Sequence, residues 1–198
     1  DSAMLDPRVK VVHQDAFKFL EQTTQQYDLI LIDLPDPHDV SVSRLYSKSF
    51  YQLVHRRLRP GGNAMTQATS PFFAADAFWC IVKTAGSVFD TEHVAGLQAD
   101  VPSFGGTWGF VLMRRPHNRP SGPVNRKADG WSKWATEHIW VMQHDSLSQP
   151  PLRYLSAETA YARFQFTPDM KRDTAQLTTN TLENHALVAY YADSWRNW

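Results

Sequence analysis

Two carboxylates three residues apart carry the most legible chemistry in the chain. In LIDLPDPH (31–38), Asp33 and Asp36 flank Pro35, and Pro37 follows at once. Proline fixes its own φ and restricts the residue before it, so the turn holds both carboxylates close with little freedom left to lose. Like charges held together raise one of the two pKa values, which suits a general base, and the pair attracts ammonium groups. The same residues also suit a stiff turn with no chemistry. His38 and Asp39 extend the stretch to DPHD, but no second histidine or cysteine cluster accompanies them, and no metal site is expected.

Three more positions join these candidates. Asp15, in QDA (14–16), reads as the N-cap of a helix beginning at Ala16. It reads equally as an acceptor for an exocyclic amine such as the N6 of adenine, since two carboxylate oxygens can serve both partners. Gln67, in TQATSP (66–71), suits a strand end that satisfies backbone groups or the wall of a pocket. Phe104, in a glycine-rich loop, suits a lid contact or loop packing.

The elements that must position these residues alternate between two periodicities. VKVVH (9–13) predicts a strand, AFKFLEQ (16–22) a helix, and YDLILID (27–33) a strand covered on both faces. Phe50, Leu53, Val54 and Leu58 recur at helical spacing behind a Ser47 cap. Arg56, Arg57 and Arg59 complement that helix's dipole before Pro60-Gly61-Gly62 stops it. NAMTQAT (63–69) predicts a strand, and residues 70–86 a largely buried helix capped by Ser70. Strands around 88–96 and 108–114 flank the loop QADVPSFGGTW and add an antiparallel pair at one edge. This order is that of a parallel α/β sheet, in which ligands bind at the carboxyl ends of the strands, where Asp15, Asp33, Asp36 and Gln67 lie. Residues 1–114 form this domain, 115–130 a Pro/Gly-rich linker, and 131–198 a small, mostly helical appendage with helices near 156–164 and 181–196. Trp131, Trp134 and Trp140 fall in the appendage.

Composition narrows the partners. The 198 residues carry 20 Lys+Arg against 20 Asp+Glu, a formal net charge of +0. A nucleic-acid partner is not expected without a positive excess. Cys80, the single cysteine, reads as a small buried hydrophobe in a reducing compartment. No apolar run reaches the roughly 18–20 residues of a membrane span. The chain opens DSAMLDPRV, without an initiator methionine, and reads as a fragment whose upstream portion is absent.

Taken in order, DPRVKVVHQDAFKFL, YDLILIDLPDP, LYSKSFYQLVHRRLRPGG, TQATSPFF and VPSFGGTWGF resemble the polyamine aminopropyltransferases, the spermidine synthase family. The resemblance covers roughly residues 6–114; AFWCIV and the tail look most like a longer bacterial subgroup with membrane segments upstream. It implies a Rossmann-like, class I adenosyl-cofactor transferase sheet, here partial, with the first two strands missing. It implies transfer of an aminopropyl group from decarboxylated S-adenosylmethionine, as co-substrate, to an amine such as putrescine. No prosthetic group or metal is implied. The catalytic base falls on Asp33, amine contacts on Asp36, Gln67 and Phe104, and the adenine contact on Asp15 and Ala16. A cytoplasmic, homo-oligomeric enzyme domain is expected.

Three departures qualify the resemblance. Phe104 stands where the family's lid commonly has a tyrosine that touches the amine, so that hydrogen bond is lost. Asp39 and Val40 replace the glycine and proline that often follow D-x-x-D-P. The glycine-rich loop and the ribose-binding acid lie upstream of Asp1, so the chain alone is expected to be inactive, and to re-pair its strands, associate, or leave edges exposed. An S-adenosylmethionine-dependent methyltransferase of the same fold and a non-catalytic assembly module stand as alternatives.

Overall fold

The computed structural model describes residues 3–117 and 156–196. Four strands make one sheet in the order β1-β2-β4-β3, with β1 Tyr27–Ile32, β2 Leu58–Gln67, β3 Val94–Val101 and β4 Gly106–Arg114. β1 and β2 run parallel, while β4 is antiparallel to both β2 and β3. The helices are α1 Ala16–Gln22, α2 Val40–Ser43, α3 Lys48–Arg57, α4 Ala75–Phe89, α5 Ala157–Ala162 and α6 Ala186–Arg196. Among the described residues no helix is long and apolar enough to cross a membrane.

The parallel β1–α3–β2 unit forms as the periodicity predicts. Ser47 caps α3 by accepting from the Phe50 amide, and Phe50, Tyr51, Leu53 and Val54 are buried along one helical stripe. Phe17 of α1 meets Phe50 with ring centroids 5.9 Å apart. The arginines after α3 act differently from expectation. Arg57 donates to the Leu20 and Glu21 carbonyls at the end of α1, and Arg59 pairs with Asp28. The carbonyls at the end of α3 are met instead by Arg115, which donates to those of His55 and Leu58.

Several boundaries move. The LRPGG turn lies inside β2, where the register with β1 slips between Tyr27 and Leu29 and Gly61 takes a φ of 85°. The predicted strand at 88–96 starts only at Val94, because α4 continues to Phe89. The predicted loop 98–108 is largely hairpin. β3 runs to Val101, a tight turn spans Pro102–Phe104, and β4 begins at Gly106. Ser70 caps the turn before α4, accepting from Phe72 and Phe73.

Two expectations are corrected. Residues 9–13 are not a strand: they pair with nothing regular, and Val9, Val11 and Val12 are exposed. A strand needs a neighbour to bond, and a cleft of about 670 Å³ separates Lys10, Val12 and Gln14 from the free edge of β1. Nor is β1 covered on both faces. Ile30 and Ile32 join the core under the helices, whereas Leu29 and Leu31 are 56% and 65% exposed. The edges thus stay open among the described residues. The predicted linker beyond 117 and the three tryptophans of 131–140 lie outside the described residues.

The core centres on Phe78 of α4, fully buried against the β3–β4 hairpin. Two glycines make room for it. A Cβ at Gly96 would stand 2.8 Å from the Phe78 ring, and one at Gly109 would stand 2.5 Å from it and 2.7 Å from the Thr69 carbonyl oxygen. The ring could shift, but the backbone oxygen cannot. Gly109→Ala is therefore expected to cost about 1–3 kcal/mol, read as a lowered urea midpoint with unchanged slope.

Candidate active site

Strand direction brings the candidate residues to one edge. β1 and β2 are parallel with Ile32 opposite Thr66, so Asp33 and Gln67 leave the sheet side by side. β4 runs the other way and starts at this edge, which brings the Pro102–Phe104 turn and Trp108 to the same place.

Gln67 organises the edge. It is only 6% exposed, and its Oε1 accepts from the Trp108 indole Nε1 and the Thr69 amide, both at 2.8 Å. Those two groups can only donate, so the amide has one workable orientation. Its Nε2 then faces three acceptors: the Leu34 carbonyl at 2.7 Å, the Tyr46 hydroxyl at 2.9 Å and Asp36 Oδ1 at 3.1 Å. Tyr46, fully buried, donates to the Pro35 carbonyl at 3.0 Å. Burial first, and the neighbouring Tyr51 and Asp36 after it, push its phenol far above the ordinary range. The carbonyls of the Leu34-Pro35 turn are thereby pinned from below. Thr69 completes the frame with a φ of 57°, a strained conformation for a β-branched residue.

The two aspartates of the turn end up in contrasting surroundings. Asp36 is half-buried; besides Gln67 it accepts from the Tyr191 hydroxyl at 2.8 Å, with Thr69 Oγ1 at 3.4 Å on the same oxygen. Asp33 is exposed, and no hydrogen bond reaches its carboxylate from the described residues. One acid is oriented by donors on both oxygens, and the other is open to solvent.

The comparisons with known proteins bear on this edge. The family model described as the spermine/spermidine synthase domain matches residues 2–121. The chain belongs to that family. It is 39% identical over 195 residues to polyamine aminopropyltransferase 1 of Streptomyces coelicolor, covering 98% of this chain and 32% of that protein. It is 36% identical to the polyamine aminopropyltransferase of Oceanobacillus iheyensis, covering 100% of this chain and 34% of that protein. The chain thus spans about a third of the length of the curated relatives it matches. A spermidine synthase solved with the transition-state analogue AdoDATO superposes with a TM-score of 0.64 at 18% identity, over 84% of this chain and 51% of that one. The fold is the Rossmann-like fold of the spermidine synthases.

Within this synthase-family frame, Asp36 and Gln67 share one network, with Asp33 beside them. Phe104 reaches that network through ring packing: its centroid lies 4.8 Å from Trp108, whose indole holds Gln67. Asp15 and Ala16 lie apart from it, at the start of α1. One Asp15 oxygen caps α1 through the Lys18 amide at 3.0 Å, and the other is paired with Arg44. The Lys18 amide, and then Arg44, hold its carboxyl below the usual range. His38 is taken up locally by the Asp36 carbonyl and Asp39, and the described residues contain no cluster of three metal-ligating side chains.

Sequence reasoning missed Tyr46, Trp108 and Tyr191. Trp108 stood in a quoted motif, but its indole partner is set by the register of β4. Tyr191 lies 155 residues from Asp36, and no local pattern links the two.

Two measurements follow from the network. Gln67→Glu places an acceptor-only group against the Leu34 carbonyl and Asp36, and is expected to cost about 2–3 kcal/mol at neutral pH. Part of this should return at about pH 5, when a carboxyl raised by burial and its like-charged neighbour regains a proton. Burial, with the hydrogen bond to Asp36 and its charge, pushes the Tyr191 phenol up from 10.0 to about 12. A folded pKa above the unfolded one stabilises the fold below about pH 10, and the gain is lost as pH rises toward 12. Urea midpoints should fall over that window, less steeply in Tyr191→Phe than in the unaltered chain.

Proposed function

We propose that the protein makes spermidine-type polyamines. It would transfer an aminopropyl group from decarboxylated S-adenosylmethionine to an amine such as putrescine, releasing methylthioadenosine. The observation that carries the proposal is the contrast within Asp33-x-x-Asp36: an unbonded carboxylate beside one that is oriented by Gln67 and Tyr191. The family membership supports the same reading.

A primary amine with a pKa near ~10 is almost wholly protonated at neutral pH and cannot attack carbon. Asp36, oriented and partly desolvated, attracts the ammonium group. Asp33, free of internal partners, accepts the proton. The amine lone pair forms the new C–N bond at the carbon next to the sulfonium, and the C–S electron pair returns to sulfur. The sulfonium thereby becomes a neutral thioether, and the released proton rests on Asp33. Positioning and proton acceptance carry the step.

Asp15 and Ala16 are assigned to the adenine of the donor. The Asp15 oxygens each keep a lone pair beyond their bonds to Lys18 and Arg44, enough to accept an exocyclic amine. Phe104 and Gln67 are assigned to the acceptor side.

The test is methylthioadenosine release by the full-length protein supplied with putrescine and either decarboxylated or intact S-adenosylmethionine. Asp33→Asn should lower the release about 10²–10⁴-fold, with donor affinity retained. Unchanged release would remove Asp33 as the base. Methyl transfer from the intact donor would point instead to a methyltransferase, and no reaction with either donor to an assembly module.

A further inference from the structure

The acidic pair draws a partner from the far end of the described chain. Helix α6 is set against the site by Asn180, which is fully buried. The Asn180 Oδ1 accepts from the Leu187 amide and from Ser43 Oγ, and its Nδ2 donates to the Ser43 carbonyl. Its backbone closes the link: the amide donates to Thr84 Oγ1 in α4, and the carbonyl accepts from Lys48 at the start of α3. The first turn of α6 is thus tied to the segment that directly follows the aspartate turn.

One turn further along, Tyr191 donates to Asp36 Oδ2 at 2.8 Å. Its ring stands 6.0 Å, edge to face, from Trp195, and Trp195 stacks on Phe73 at 5.9 Å with the planes 17° apart. Helix α6 therefore presents one polar atom to the carboxylate and, around it, a continuous aromatic surface. An acceptor that is cationic at its ends and apolar between them matches that combination. The carboxylate takes the ammonium group, and ring faces tolerate both methylenes and cationic charge.

We propose that Tyr191 is a specificity-determining residue for the acceptor amine. Its hydroxyl holds the Asp36 carboxylate in one orientation, and its ring, backed by Trp195 and Phe73, walls the space taken by the acceptor's carbon chain. The inference rests on the aminopropyl-transfer reading and assigns part of the acceptor's selection to the tail helix.

The experiment uses the full-length protein, with 1,3-diaminopropane, putrescine and cadaverine as acceptors and methylthioadenosine release as the readout. Tyr191→Phe removes a single hydroxyl from a charge-assisted bond and should raise the acceptor KM about tenfold or more, with kcat and the donor KM within about threefold. Trp195→Leu keeps that hydroxyl and should change the ranking of the three diamines. An unchanged acceptor KM in Tyr191→Phe overturns the inference. So does a parallel rise in both KM values with a lowered Tm, which marks a merely structural role. Should Tyr191→Phe fail to fold, an unchanged diamine ranking in Trp195→Leu overturns it instead. Normal wild-type release with unaltered variant kinetics defeats this inference alone. Absence of wild-type release with all three amines defeats the functional reading, and this inference with it.

Discussion

The carboxyl edge of the sheet depends on the orientation of one side-chain amide. Gln67 can face only one way, because an indole and a backbone amide, both obligate donors, meet its oxygen. That choice aims its two protons at the aspartate turn and at the buried Tyr46 hydroxyl, which in turn holds a second turn carbonyl. Buried polar groups are costly unless every member is satisfied. The network is therefore cooperative: β4 must be in register for Trp108 to reach Gln67, and Gln67 must be in place for the turn to keep its shape. The two prolines of the turn reduce the entropy that this hold must overcome.

Much of this was legible in the chain, for reasons that differ by element. The α3 stripe and its serine cap are local, so periodicity found them. The aspartate turn was legible because proline and paired carboxylates on a strand end have few structural duties that require both. Strand 9–13 was misread because β-propensity describes a surface that fits a neighbour, not a strand that stands alone; across the cleft from β1 those valines meet no ladder. Likewise, an apolar run such as YDLILI suits burial, but it does not say which of its faces will find a helix.

The unread part of the site is the part built by long-range register. Trp108 gained a role through the antiparallel pairing of β4 with β2. Tyr191 gained one through Asn180, a small polar residue whose four bonds to Ser43, Thr84 and Leu187 leave no trace in local spacing. The missing phenol at Phe104 likewise drew notice to the lid loop. The phenol that does reach the acidic pair comes from the opposite end of the chain.

The span between Asp36 and Tyr191 also has a consequence for how the site comes into being. The β3–β4 hairpin and the α3 turn close over short stretches of chain, whereas the tie from α6 closes a loop of 155 residues. Loop-closure entropy grows with length, and the slow, non-local contacts are rewarded only after the local ones exist. During synthesis from the amino terminus, the acidic turn emerges long before its tyrosine. Until the last helix docks, Asp36 remains a solvated carboxylate with one of its two oriented partners absent. Assembly of the edge is thus the closing event of folding, so a chain cut short of α6 would retain its sheet and present an incomplete pair of acids.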